Sequence, residues 1–176
     1  MTPEIRQQCM EVYADICEVL GEENVMIGGG FVRDTLNNVE PKDMDIYLLS
    51  KKHYKVDSWL NSQRVWEPVL SKEYGVPRFV VYKHKELPID FILSYNKESP
   101  DSIMRTYDFN ICKCYYYYRK IYKTTDYNID INNKTLTLCK EYEGSMEMSM
   151  KSHLPRLKKK YPEFEFKLED GWYDAD

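Results

Sequence analysis

Between Val25 and Leu49 the chain reads VMIGGGFVRDTLNNVEPKDMDIYLL, and this stretch constrains the fold more than any other. Val25, Met26 and Ile27 form an apolar strand that runs into Gly28, Gly29 and Gly30. A helix-compatible turn follows from Phe31 to Leu36, then a polar loop, then a second strand carrying Asp43 and Asp45. Glycine lets backbone approach a ligand closely, and a helix starting just after it offers free N–H groups to an anion. Residues two apart on a strand share a face, so Asp43 and Asp45 project side by side. Alone, a triple glycine marks a turn and a D-x-D marks a solvated strand end. In this order and within one short span, they point to a phosphate cradle beside a pair of carboxylates.

Gly29-Gly30-Phe31-Val32-Arg33-Asp34, followed by Asp43-Met44-Asp45-Ile46, resembles the head-domain signature of the nucleotidyltransferase superfamily. The branch it is most similar to is that of CCA-adding enzymes and bacterial poly(A) polymerases, with their GG-x-VRD and D-x-D. The resemblance covers roughly residues 25 to 120 and implies an α/β fold, a small mixed sheet flanked by helices.

Asp90 lies between Ile89 and Phe91 in an otherwise apolar strand. A bare carboxylate there is costly unless a cation or donor balances it. It is either a strand-end aspartate with a buried partner or a ligand, and the resemblance favours the ligand, a third acid on the strand beside D-x-D. The implied chemistry is Mg²⁺-dependent, with two ions and an NTP. Asp43 and Asp45 would bind both ions, and Asp90 would serve one and help deprotonate an acceptor hydroxyl. Gly28, Gly29 and Gly30 would hold the triphosphate, where positioning and electrostatics supply most of the catalysis. Arg33 either touches phosphate or ties its helix to Asp34.

Arg105-Thr106-Tyr107-Asp108-Phe109-Asn110 resembles the family's RRDFT-x-N segment, but Arg105 is displaced and Asn110 stands at the threonine position. Asp108 and Asn110 either contact the nucleotide or form a helix–strand junction capped by Asp108. Beyond this segment the resemblance stops: the chain carries no EDxxR base selector and none of the neck, body and tail domains. CCA addition of that kind is therefore not expected.

The remaining chain gives structural expectations. Thr2 and Pro3 open a helix whose buried face holds Ile5, Cys9, Val12, Ile16 and Val19, and Gly21 stops it. Lys51 to Arg64 reads as a helix anchored by Trp59 and Leu60, whereas Val65 to Leu70 is ambiguous because of Pro68. Arg78 to Tyr82 and Leu87 to Leu93 form a hairpin across the polar Lys83 to Glu86. A short helix begins at Pro100, and Phe109 to Tyr118 reads as a strand. Its Tyr115 to Tyr118 run suits either a half-buried strand or stacking on RNA bases. Asn132-Asn133 marks a turn before a strand from Thr135 to Cys139.

The last part follows a division into residues 1–143, head-like, and 144–176, a small helical and basic extension with an acidic tail. Lys151, Arg156, Lys158, Lys159 and Lys160 form a basic patch on a short helix beginning at Pro155. The patch binds RNA or tRNA phosphates, or the incoming triphosphate, or is a solvated face. Trp172 and Tyr173 are candidates to dock the tail on the core.

Composition narrows the setting. A formal net charge of −4 argues against a dedicated nucleic-acid coat, and 43% hydrophobic residues supply a core. Five cysteines without framework spacing, including Cys112-Lys113-Cys114 with no second pair, read as reduced thiols rather than a zinc site. There is no run of about eighteen apolar residues and no signal-peptide pattern, so a cytoplasmic protein is expected, with no membrane partner. The 16 tyrosines and the abundance of Lys, Asn and Ile fit an AT-rich genome such as that of a phage or virus.

The leading expectation is a nucleotidyltransferase acting on an acceptor hydroxyl: an RNA 3′ end first, a protein or small molecule otherwise. The alternatives are a non-catalytic nucleotide- or partner-binding regulator that keeps the fold, and an antitoxin-like partner of another protein.

Overall fold

The computed structural model describes residues 1–49, 53–69, 79–94, 99–140, 142 and 144–169. Helix α1 (Pro3–Leu20) starts where Thr2 accepts a hydrogen bond from the Ile5 amide, and ends at Gly21, whose φ of 89° is natural for glycine. Its buried face is centred on Cys9, Tyr13 and Ile16, while Val19 is 55% exposed. The expected stripe therefore rotates at its end, because Tyr13 packs edge-on against Tyr116 and bonds the Val25 carbonyl.

The strands β1 (Val25–Gly28), β2 (Met44–Leu48), β3 (Trp66–Val69), β4 (Phe79–His84), β5 (Ile89–Ser94), β6 (Cys114–Tyr117) and β7 (Lys120–Lys123) form one mixed sheet. Their order is β3-β4-β5-β2-β1-β6-β7, with only β2 and β5 parallel. The ambiguous Pro68 falls on edge strand β3, where a missing ladder donor is tolerated. Helices α2 (Gly30–Leu36), α3 (His53–Ser62) and α4 (Pro100–Met104) complete this part of the chain.

Strand alternation divides the core. Val25, Ile27, Met44, Ile46 and Leu48 join the large cluster with α1 and α2, whereas Met26, Tyr47 and Leu49 join a smaller one with Ile103 and Met104 of α4. Asp45 alternates with Met44 and Ile46 and so belongs to the smaller cluster's face.

Two expectations change after Phe109. The strand to Tyr118 is shorter, because a 3₁₀ turn at Asn110–Cys112 precedes β6. The turn at Asn132-Asn133 is the end of a helix, α5 (Thr125–Asn133), capped by Thr124 and closed by Lys134 in the left-handed region. Strand β8 (Thr135–Leu138) then pairs in parallel with β9 (Glu165–Leu168). Between them lie one helical turn, α6 (Met146–Met148), a π-helical turn at Ser149–His153, and α7 (Leu154–Lys160). Pro155 supplies no amide to the preceding helical ladder, and the widened turn lies just before it. Leu157, Tyr161 and Phe164 enter the large core cluster, so this segment packs on the sheet domain. The expected docking of Trp172 and Tyr173 lies outside the described residues.

Candidate active site

One row of cross-strand partners runs through the sheet: Lys83 on β4, Asp90 on β5, Asp45 on β2, Gly28 on β1 and Tyr115 on β6. The antiparallel β1–β2 and parallel β2–β5 registers put Asp45 directly between Gly28 and Asp90. Asp43 precedes β2 by one residue and is half-buried. The three acids read from the sequence are thus neighbours at one end of the two central parallel strands.

Their partners differ. Lys42 reaches Asp43 at 3.3 Å on the exposed side. Lys83 grips both oxygens of Asp90, at 3.0 and 2.8 Å, and that pairing raises the ammonium's pKa. Asp45 has no hydrogen-bond or ion-pair partner among the described residues. Burial, and then the charges of Asp43 and Asp90, push its carboxyl up to about 7.

These donors suit Mg²⁺ by type, being hard carboxylate oxygens, with Asp45 lacking an ion-pair partner among the described residues. Among the described residues, no three His, Cys, Asp or Glu side chains stand close enough to enclose a metal ion. Asp90 is held by Lys83 and Asp43 meets Lys42, so Asp45 is the one of these three carboxylates without an ion-pair partner among the described residues. Sequence reading placed Lys83 in a polar connector; its position opposite Asp90 in the β4–β5 hairpin was the available signal.

The glycine cradle is built differently from expectation. The Gly29 amide donates to the Cys114 carbonyl at 3.1 Å, so it is committed to the sheet. Tyr107 packs over the loop: a Cβ at Gly28 would come within 2.7 Å of its hydroxyl, and one at Gly29, where φ is 62°, within 2.6 Å. Tyr107 also donates to the Tyr47 hydroxyl at 3.0 Å. Tyr107 stands just before Asp108, where the family segment has its second arginine, and the glycines leave room for its ring. Gly30 alone of the three lines the adjoining cleft.

Arg33 lines the cleft and is also tied into the fold. It is buried, bonds Asp34 at 2.6 Å and the Cys112 sulfur at 2.9 Å, and lies over the Tyr161 ring. Asp34 is 1% exposed and also receives Lys160 and the Tyr161 hydroxyl, the latter at 2.9 Å. Cys112 and Cys139 are likewise free thiols beside cations, Cys139 receiving Lys113 at 3.0 Å.

A cleft of about 250 Å³ joins these parts, its lining including Gly30, Asp43, Asp45 and Asp108 from the first part of the chain and His153, Arg156 and Lys160 from the C-terminal segment. Asp108 is buried and held by His153 at 2.5 Å, a partner for which the sequence carried no signal. Asn110 is outside the cleft lining; its buried side-chain oxygen has no hydrogen-bond partner among the described residues. The basic patch disperses: Lys151 pairs with Glu147, Lys158 bonds the Phe164 carbonyl, Lys159 is exposed, and only Arg156 and Lys160 reach the cleft.

Solved structures share this fold. A tRNA-processing enzyme in an apo form superposes with a TM-score of 0.60 at 16% identity, over 95% of this chain and 45% of its own. The CCA-adding enzyme of Thermotoga maritima complexed with tRNA gives 0.58 at 14% identity, over 97% of this chain and 40% of its own. A CCA-adding enzyme with ATP gives 0.58 at 13% identity, over 95% and 40%. The chain spans less than half the length of these structures, and at such identities the likeness establishes the nucleotidyltransferase-type fold. None of the curated proteins matches the sequence. A family model does match, over residues 4–134, and by that match the chain belongs to the Gabija anti-defense 2 family.

Proposed function

We propose that the protein is a Mg²⁺-dependent nucleotidyltransferase that moves a nucleoside monophosphate from an NTP to an acceptor hydroxyl, forming a bond from that oxygen to the α-phosphorus and releasing pyrophosphate. The observation that carries this reading is Asp45, a carboxylate set between Gly28 and Asp90 by strand register and left without an ion-pair partner among the described residues. Asp43 and Asp45 hold the metal, which when bound neutralises the polyphosphate and polarises the acceptor hydroxyl. Asp90, released from Lys83, completes the acidic set and takes the hydroxyl proton. Gly30 and Asp108 face the same cleft and position the nucleotide.

The acceptor is in the first place an RNA 3′ end, with a protein side chain or small molecule behind it; tRNA is bound in one solved relative and ATP in another. The family's name gives the transfer a setting, opposition to the Gabija defence by a phage- or virus-encoded protein in the host cytoplasm. A second reading, a binder that keeps the fold without turnover, is favoured by Lys83 on both Asp90 oxygens and by Tyr107 over Gly28 and Gly29. The two are separated by incubating the protein with each α-labelled NTP, Mg²⁺ and cellular RNA or protein. Label transferred by the native protein and absent with Asp45→Asn supports catalysis. Nucleotide binding with no transfer to any acceptor supports the binder.

A further inference from the structure

The charged side chains that line the cleft pair off among themselves with two exceptions. Arg33 and Lys160 meet Asp34, Lys42 meets Asp43, and His153 meets Asp108. Asp45 and Arg156 are left without an ionic partner among the described residues; Arg156 makes only a 3.2 Å bond to the Ser152 carbonyl of its own helix. One unmatched anion and one unmatched cation in the lining of a single cleft suit a ligand carrying both signs.

We propose that Arg156 binds the phosphate chain of a metal-chelated nucleoside polyphosphate whose metal lies against Asp45. The segment Met146–Lys160, outside the family-matched residues 4–134, thereby supplies the anion-binding wall of the site. The inference rests on the reading of Asp43 and Asp45 as metal-binding residues and deepens it. Three observations support it independently. The expected cradle is compromised, with the Gly29 amide committed to Cys114 and Tyr107 over the loop, so phosphate needs donors from elsewhere. His153, Arg156, Leu157 and Lys160 follow helical spacing and share one face. That face is pinned on both sides of Arg156, by His153 on Asp108, by Leu157 in the core and by Lys160 on Asp34. An arginine presented on a fixed scaffold loses little freedom on binding, and its planar fork matches phosphate oxygens in pairs.

The test is calorimetric titration of the full chain with Mg²⁺ and a non-hydrolysable NTP, and in parallel with the corresponding NMP. Arg156→Met lowers NTP affinity about tenfold or more and leaves NMP affinity nearly unchanged; Arg156→Lys falls between. Arg156 is exposed, so an unchanged circular-dichroism spectrum and melting curve serve as the folding control. Equal NTP affinity in native protein and Arg156→Met overturns the inference and leaves the metal assignment standing. Absence of NTP binding by the native protein overturns both. If Arg156→Met weakens RNA binding alone, the cation serves an acceptor strand and the inference fails.

Discussion

The two walls of the cleft are made in opposite ways. The acidic wall is local: Asp43 lies one residue before β2, Asp45 lies on it, and hydrogen-bonded register sets Asp90 of the adjacent β5 beside Asp45. The basic wall is remote: His153, Arg156 and Lys160 come from a helix more than a hundred residues from the glycine loop and reach the cleft only because their segment docks. Strand register survives most side-chain changes, whereas docking depends on a few buried contacts, above all those at Asp34. The acidic wall is accordingly the sturdier half, whereas the basic wall holds its place through Asp34 and through Leu157, Tyr161 and Phe164 in the shared core.

The sharpest separation is Asp45→Asn, which should reduce nucleotidyl transfer by about 10³-fold while the native circular-dichroism spectrum is retained. Undiminished transfer by this variant removes the acidic wall from the chemistry. Asp34→Ala attacks the other wall. It leaves the buried Arg33 guanidinium without its carboxylate and frees Lys160 and Tyr161. A loss of about 3–5 kcal/mol in stability is expected, with limited proteolysis favouring the C-terminal segment. A melting curve within a degree of the native one would mean that the latch contributes little.

Asp45 also predicts a pH dependence of metal binding. Its folded pKa of about 7 lies above the ordinary carboxylate value, so the folded protein without metal holds a proton that the unfolded chain has lost. The contribution of Asp45 to metal-free stability is therefore most favourable at acid pH and declines as pH rises from about 4 to about 7. Mg²⁺ must displace that proton, so its affinity should rise about tenfold per pH unit below 7 and level off above it. A flat profile between pH 5.5 and 7 in calorimetric titrations would exclude Asp45 as the titrating ligand. The smallest effect is expected from Lys83→Met, which removes the cation from Asp90 and should tighten Mg²⁺ several-fold. Weaker Mg²⁺ binding in this variant would instead make Lys83 a support that orients Asp90.

Much of the acidic wall was legible because strand alternation is a two-residue rule. Met44, Asp45 and Ile46 must point alternately whatever they pack against, and Asp90 between Ile89 and Phe91 obeys the same rule. The glycine loop was read correctly as a tight turn into α2 but misread in its partners, since a glycine run says where backbone can be approached and not by what. Tyr107, nearly eighty residues on, takes that space, and a carbonyl of β6 takes the Gly29 amide. Helix α5 was missed although Thr124 caps it, because its apolar residues are few and only Tyr127 and Asp130 are buried. The basic patch looked like one surface because no acid lies between Glu147 and Glu163; a helix turns its residues to different sides.

By itself, then, the sequence determined the strand–glycine–helix–strand unit, the acids that share its row, and the mixed α/β class, all of which follow from short-range periodicity and backbone preference. Tertiary structure alone decided that Lys83 neutralises Asp90, that Asp34 is a latch, and that Arg156 and Asp45 line the same cleft. Those outcomes depend on which distant side chains share a low-dielectric space, where one unmatched charge dominates and sequence distance counts for nothing.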